Sequence, residues 1–290
     1  MHSIQHLIKI ALEEDIGPGD ITTENLVDKN LKGIGEIVAK EPLVIAGLDI
    51  ARQVFEQLDS DISFRPNFKD GDFIEKGKIV LEVEGKLRVL LMGERTALNF
   101  LQHLSGIATH VRSYMDSIAN KNVRLVDTRK TTPGWRALEK YAVRVGGAHN
   151  HRMGLYDGVL IKDNHIAVCG GIKKAIERIK NKLSHLVKIE VEVSDLDEVK
   201  EAIEAGADVI MLDNMDIDQI KEAIEFINGK SLVEISGGVT IDSLNQLADT
   251  GADIISAGAL THSARSVDIS MRIRGQETFE KRSLLPNFCV

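Results

Sequence analysis

From about residue 123 onward, short apolar runs alternate with longer stretches whose apolar residues recur every three or four positions. Runs at 123–126, 158–161, 188–193, 209–212, 232–235 and 254–256 read as strands bounded by turn residues. Between them, residues 172–182, 196–205, 217–227 and 241–248 carry the helical period. Strand and helix alternating at this spacing predict βαβ units on a parallel sheet. Gly206-Ala207-Asp208 and Gly251-Ala252-Asp253 each end a helix and open a strand, the punctuation of an αβ loop. A regular barrel needs eight strands, and the count is six. Polar residues gather at the C-terminal ends of these strands, as if around one centre. The fold class expected is therefore α/β, an irregular six-strand-like α/β barrel.

The first 120 residues have a different texture. Runs at 34–39, 43–45 and 79–83 read as strands, 48–58 as a helix, and 89–104 and 108–119 as two further helices. This is an N-terminal α+β domain. No Pro- or Ser-rich linker follows it, so the joint is placed at Ser105-Gly106. The expected division is 1–105 for the first domain and 106–265 for the barrel. Residues 266–290 lack the strand–helix repeat and are expected to return to the first domain.

The densest polar chemistry runs from residue 127 to 165, after and between the first two barrel strands. Asp127-Thr128-Arg129-Lys130-Thr131-Thr132-Pro133-Gly134 comes first, then His149-Asn150-His151-Arg152, then Lys162-Asp163-Asn164-His165. Arg129, Lys130, His151, Arg152 and Lys162 are five potential cations at successive strand ends, which points to an anion pocket. Any one of them alone could be a solvated loop charge, or paired with Asp127, Asp163 or Glu139. His149 and His151 have no third ligand in suitable spacing, which sets a zinc site below anion binding.

Acids occupy the next strands. Alternation in 188–193 places Glu190 and Glu192 on one face, inward if the apolar face meets the helices. A Glu–Lys network inside the barrel suits Glu190; Glu192, nearer the strand end, suits ligand contact. Asp213 ends the following strand, and Asn214 or Asp216 could serve as a helix N-cap. Carboxylates opposite a cationic wall suggest Mg2+, sugar hydroxyls or both. Ser236-Gly237-Gly238 and Ala257-Gly258-Ala259 end the last strands, where small residues let backbone N–H groups approach a phosphate.

Composition narrows the class. The net charge of −8 speaks against a nucleic-acid or anionic-membrane partner. Two distant cysteines, Cys169 and Cys289, fit a reducing cytoplasm. The N-terminus shows no signal peptide and no run suits a membrane span, so a cytoplasmic enzyme is expected.

At these motifs the chain is similar to the quinolinate phosphoribosyltransferase family (nicotinate-nucleotide diphosphorylase, carboxylating). Residues 14–23 resemble the family's opening signature and Gly93 to Leu104 its central helix; the segments around Arg129, His151 and Lys162 carry the most diagnostic match. The resemblance implies transfer of phosphoribosyl from 5-phosphoribosyl 1-diphosphate to quinolinate with decarboxylation. The products are nicotinate mononucleotide, CO2 and diphosphate, a step of de novo NAD biosynthesis. It also implies a homodimer, or a higher oligomer, with shared active sites. Arg129, His151, Arg152 and Lys162, with Arg95 of the partner, would bind the two carboxylates of quinolinate. Lys130 would serve the anions of the donor, beside Thr128. Lys130, Lys162, Glu192 and Asp213 would carry the catalysis, with Glu192 and Asp213 holding ribose hydroxyls and Mg2+. Ser236, Gly237, Gly238, Ala257, Gly258 and Ala259 would cradle the 5′-phosphate, and no organic cofactor is implied. Three rivals stay open: a monocarboxylate-specific transferase, an anion-binding module without turnover, and a lipoyl- or biotinyl-like carrier suggested by the turns Asp70-Gly71-Asp72 and Lys76-Gly77-Lys78.

Overall fold

The structure, a computed structural model, describes residues 2–274. In chain order the elements are α1 (His2–Ile16), α2 (Ile21–Leu26), β1 (Lys32–Ala39), β2 (Leu43–Val44), α3 (Leu48–Leu58), β3 (Ser63–Pro66), β4 (Phe73–Ile74), β5 (Ile79–Lys86) and α4 (Leu87–Ser117). There follow β6 (Arg124–Val126), α5 (Arg136–Gly146), β7 (Val159–Ile161), α6 (Asp163–Cys169), α7 (Ile172–Lys180), β8 (Ile189–Val193), α8 (Leu196–Ala205), β9 (Val209–Asp213), α9 (Ile217–Ile227), β10 (Leu232–Ser236), α10 (Ile241–Ala248), β11 (Ile254–Ser256), α11 (Ala259–His262) and β12 (Ile269–Arg274). They form two units, residues 2–109 with 265–274, and residues 110–264.

The first unit is built on an antiparallel sheet ordered β12-β1-β5-β3. Its strand β1 is buried along almost its whole length, and α3 buries Leu48, Ala51 and Phe55 at helical spacing. Each large side chain so buried contributes about 1.5–3 kcal/mol relative to exposure. β12, from beyond the barrel, pairs with β1 across six residue pairs from Ile34↔Arg274 to Ala39↔Ile269. The expected return of 266–290 concerns described residues only as far as Arg274.

The two helices expected over 89–104 and 108–119 are one: α4 runs unbroken through Ser105-Gly106 for 31 residues, and the chain passes from the first unit to the second at Thr109/His110. Both Ser105 and Gly106 serve packing. Ser105 is fully buried, and its Oγ accepts from Ala46 N at 3.0 Å and donates to Ala46 O. A Cβ on Gly106 would stand 2.1 Å from the carbonyl oxygen of Arg265, so only glycine lets that backbone approach. Patterning cannot distinguish a helix-breaking glycine from one that admits a neighbouring chain.

The second unit carries all six expected strands in one parallel sheet, ordered β6-β11-β10-β9-β8-β7. The helix expected over 172–182 ends at Lys180. β6 and β7 share no ladder among the described residues. The segment 149–152 lies between them instead. His149 bridges the free edge of β6 at Val126, and the Arg152 guanidinium donates to Gly158 O, just before β7, at 3.0 Å. This irregular closure brings the strand ends around one centre. Among the described residues, no helix is long and apolar enough to cross a membrane.

Candidate active site

A cleft of about 700 Å³ opens at the C-terminal ends of the six strands. Its lining includes Thr128, Arg129 and Lys130 after β6, His151 and Arg152 from the closing segment, and Lys162 after β7. Glu192, Asp213, Ser236, Gly237, Gly238, Gly258 and Ala259 complete the set expected from the sequence. Two residues of that set stand apart. Ala257 is buried outside the lining, and its N–H is spent on Val126 O at 3.0 Å. Arg95 lies exposed on α4 in the first unit.

The cations are held in two ways. Lys162 Nζ donates to Glu192, so one cation of the wall is already joined to an acid of the neighbouring strand β8. Arg129 and Lys130 have no acidic partner among the described residues. Burial, and then the nearby Arg129 charge, lower the pKa of the Arg152 guanidinium. Like charges crowded in a cleft are stabilised by an arriving anion, so the wall is poised for one.

Asp213, at the end of β9, accepts from Asn214 Nδ2 at 2.7 Å. The N-cap of α9 is Asp216, with Gln219 completing a capping box, which leaves Asn214 free of that duty. Asn214 has φ +55 and packs under Gly237, whose added Cβ would meet Asn214 Oδ1 at 2.2 Å. Gly237 itself has φ +95, so glycine is required there twice over. The turn Ser236-Gly237-Gly238 thus keeps open backbone at the cleft.

Beneath the cations lies a network that sequence reading resolved only in part. Lys140 on α5 was not singled out, yet it is fully buried and paired with fully buried Asp127. Burial raises the pKa of Asp127, while Lys140 and the bonds from His151 N and Asn150 Nδ2 lower it. Lys140 Nζ also donates to His151 O at 3.0 Å, and Asp127 accepts His151 N–H at 2.9 Å. The Glu–Lys network expected for Glu190 is not what forms. The partner of Glu190 is His151, Nε2 to Oε2 at 3.1 Å. Glu234 was missed altogether, though an acid alternating with apolar residues in 232–236 is the same signal that exposed Glu190. It stands 3.7 Å from His151 Nε2 and is pushed up to about 8 by burial and by the adjacent Glu190.

His151, Glu190 and Glu234 make a triad with the donor types of a metal site, supplying the ligands that linear spacing around His149 lacks. The tautomer argues against metal there. His151 Nδ1 accepts the Arg152 N–H at 2.7 Å, so the ring proton sits on Nε2 and no lone pair faces the acids. Burial lowers the His151 pKa and the two acids outweigh it, raising the net value. The Nδ1 bond opposes that protonation, since an accepting nitrogen carries no proton.

Residues 107–272 match the C-terminal domain of the quinolinate phosphoribosyl transferase family, and residues 20–105 match its N-terminal domain. The chain belongs to the quinolinate phosphoribosyl transferase family. It is 45% identical over 260 residues to a probable nicotinate-nucleotide pyrophosphorylase [carboxylating] of Bacillus subtilis, covering 90% of each chain. A protein of the same description in Methanocaldococcus jannaschii is 46% identical over 276 residues, covering 92% of this chain and 96% of its own. The crystal structure of NadC from Streptococcus pyogenes superposes with a TM-score of 0.91 at 43% identity, covering 94% of this chain and 97% of that one. A human nicotinic acid phosphoribosyltransferase at 14% identity and TM-score 0.61 shares the fold alone. Within the family, the cleft in the second unit is the candidate active site, lined by cations, by Glu192 and Asp213, and by a glycine turn.

Proposed function

We propose that this enzyme, a carboxylating nicotinate-nucleotide diphosphorylase of NAD biosynthesis, divides its cleft between an acceptor wall and a donor wall. The observation that carries the reading is the gathering of Arg129, Arg152 and Lys162 in one cleft with Glu192 and Asp213, with the Arg129 charge close enough to lower the Arg152 pKa. Two guanidinium groups and an ammonium match a ring dicarboxylate, and a monocarboxylate would leave one of them unmatched. Arg95 of a partner subunit completes the acceptor wall in a homodimer, which we place in the cytoplasm.

In this reading the pyridine nitrogen of quinolinate attacks the anomeric carbon, and the bond from that carbon to diphosphate breaks. Positive charge develops on the ribose, and Glu192 and Asp213 lie on the side of the sugar, holding its hydroxyls. Lys130 steadies the donor's anions, and Ser236, Gly237, Gly238, Gly258 and Ala259 seat the 5′-phosphate. The product is a pyridinium. The electron pair of the broken C–C bond stays on C2 as an ylide stabilised by the adjacent positive nitrogen, CO2 departs, and a proton then reaches that carbon. Lys130 and Lys162 are the donors in reach of the cleft. The 3-carboxylate stays gripped by Arg129 and Arg152.

Mg2+ takes one or two carboxylates and completes its shell with water and substrate phosphates. Glu192 and Asp213, on neighbouring strands, are a donor set of that kind and would hold it. When bound it supplies charge neutralisation to the departing diphosphate.

The direct test mixes protein, Mg2+, phosphoribosyl diphosphate and quinolinate, and follows nicotinate mononucleotide and CO2 together. Equal release of both supports the reading. Diphosphate release only with another ring acid would keep the donor wall and overturn the acceptor assignment.

A further inference from the structure

Three side chains from three parts of the chain meet below the cleft. His151 comes from the segment that closes the barrel, Glu190 from β8 and Glu234 from β10. Glu190 is 8% exposed and Glu234 2%, and each keeps its Oε1 buried without a partner. A second cavity of about 660 Å³ opens at the N-terminal ends of the strands, and His151 and Glu234 line both cavities. Arg152 also lines both and Glu190 the second alone, so the cluster lies between the two cavities.

Every polar group of His151 is engaged. Its N–H goes to Asp127, its carbonyl takes Lys140 Nζ, its Nε2–H goes to Glu190, and its Nδ1 takes the N–H of Arg152. The ring is thus a link: an acid at one nitrogen sets the position of a backbone N–H at the other. That backbone belongs to Arg152, whose guanidinium is tied to Gly158 O and lines the cleft. A histidine with only a packing role needs one buried acceptor. Here two acids converge on one ring N–H, at 3.1 and 3.7 Å.

We infer that Glu190 and Glu234 are positioning residues for the acceptor end of the site: through the His151 ring they fix Arg152 against the substrate carboxylates. Glu190 supplies the acceptor and Glu234 backs it from β10. The charged groups acting on the ring are these two acids and Lys140 from α5, while Asp127, the partner of Lys140, holds the backbone N–H of His151. Ser256 of β11 is the polar neighbour of Glu234. The inference rests on the reading of the cationic wall as the pocket for quinolinate.

Steady-state kinetics with each substrate varied separately, on the full chain, read the effect. Glu190→Ala is expected to raise KM for quinolinate on the order of tenfold, as loss of a supporting hydrogen bond commonly does, with the donor KM within about twofold. Glu190→Gln keeps an acceptor oxygen and should restore most of the loss. Glu234→Gln should stay near wild type and Glu234→Leu should not. Folded Glu190→Ala with an unchanged quinolinate KM would overturn the inference. A long-range proton–nitrogen spectrum of the wild-type His151 ring needs neither variant nor substrate. The Nε2–H tautomer supports the inference, and an Nδ1–H tautomer sinks it. Should wild type fail to turn over quinolinate, the acceptor reading falls, while the ring spectrum still decides the positioning.

Discussion

The ammonium of Lys140 meets the carboxylate of Asp127 where neither side chain has any exposed surface. Together they pin the segment that closes the barrel, because Asp127 holds His151 N–H and Asn150 Nδ2 while Lys140 holds His151 O. Removing one partner leaves a buried charge uncompensated, which costs about 3–5 kcal/mol. Lys140→Met should lower stability by that order in urea denaturation. Combined with Asp127→Leu it should recover only part, since the His151 and Asn150 donors then lose their acceptor. Full recovery would mean the pair acts alone.

The Lys162–Glu192 contact joins the acceptor wall to the donor wall. Each residue is needed on its own side once substrates arrive, so the contact is expected to open on binding. Lys162→Ala should cost on the order of a hundredfold in kcat/KM for quinolinate and little thermal stability, the lysine side chain being 43% exposed. A drop in melting temperature as large as that of Lys140→Met would make the lysine structural instead.

Gly237 sits with φ +95 over Asn214, and a methyl group there collides with Asn214 Oδ1 at 2.2 Å. Gly237→Ala should displace the turn at the proposed phosphate seat. The donor KM should rise by about tenfold or more while that of quinolinate changes less. Equal changes in both would show that the turn shapes the whole cleft.

Glu234 has a folded pKa near 8 against an ordinary 4.5, with burial the main cause and the Glu190 charge next. The folded protein therefore binds a proton that the unfolded chain has released across this interval. The associated stability is fully present below about pH 4.5 and is lost as pH rises through about 8. Denaturation midpoints should fall from about pH 5 to about pH 8.5, and Glu234→Gln should flatten that slope. An unchanged slope in the variant would place the proton elsewhere.

Arg95 is exposed on α4, outside the unit that holds the cleft. If the partner's Arg95 serves each site, Arg95→Ala and Lys162→Ala should each be nearly inactive alone. Mixed after dissociation, they should regain roughly a quarter of wild-type activity, because half the dimers carry one intact site. No recovery, with subunit exchange verified, would confine the site to one chain.

The cluster around Arg129, His151 and Lys162 was legible because Arg129 and Lys162 follow β6 and β7 closely and His151 lies in the segment between those strands, so linear order and spatial order coincide. Glu190 and Glu192 were legible through alternation, which fixes the face a residue occupies. Partners were not. Glu190 was matched with lysines because both charges were visible in the sequence, whereas the fold gives it a histidine from a distant loop. Ala257 was taken with its glycine neighbours, though its N–H closes the ladder to β6.

By itself the sequence determined the number and order of the barrel strands, the α+β character of the first part, and the residue types at the strand ends. Those follow from periodicity and turn chemistry, which act over a few residues. Only the tertiary structure decided that Ser105-Gly106 lies inside a helix, that Lys140 and Glu234 are buried under the cleft, and that His151 is gripped by two acids. These depend on contacts between residues far apart in the chain, and local patterning carries no record of which distant side chain will fill a given space.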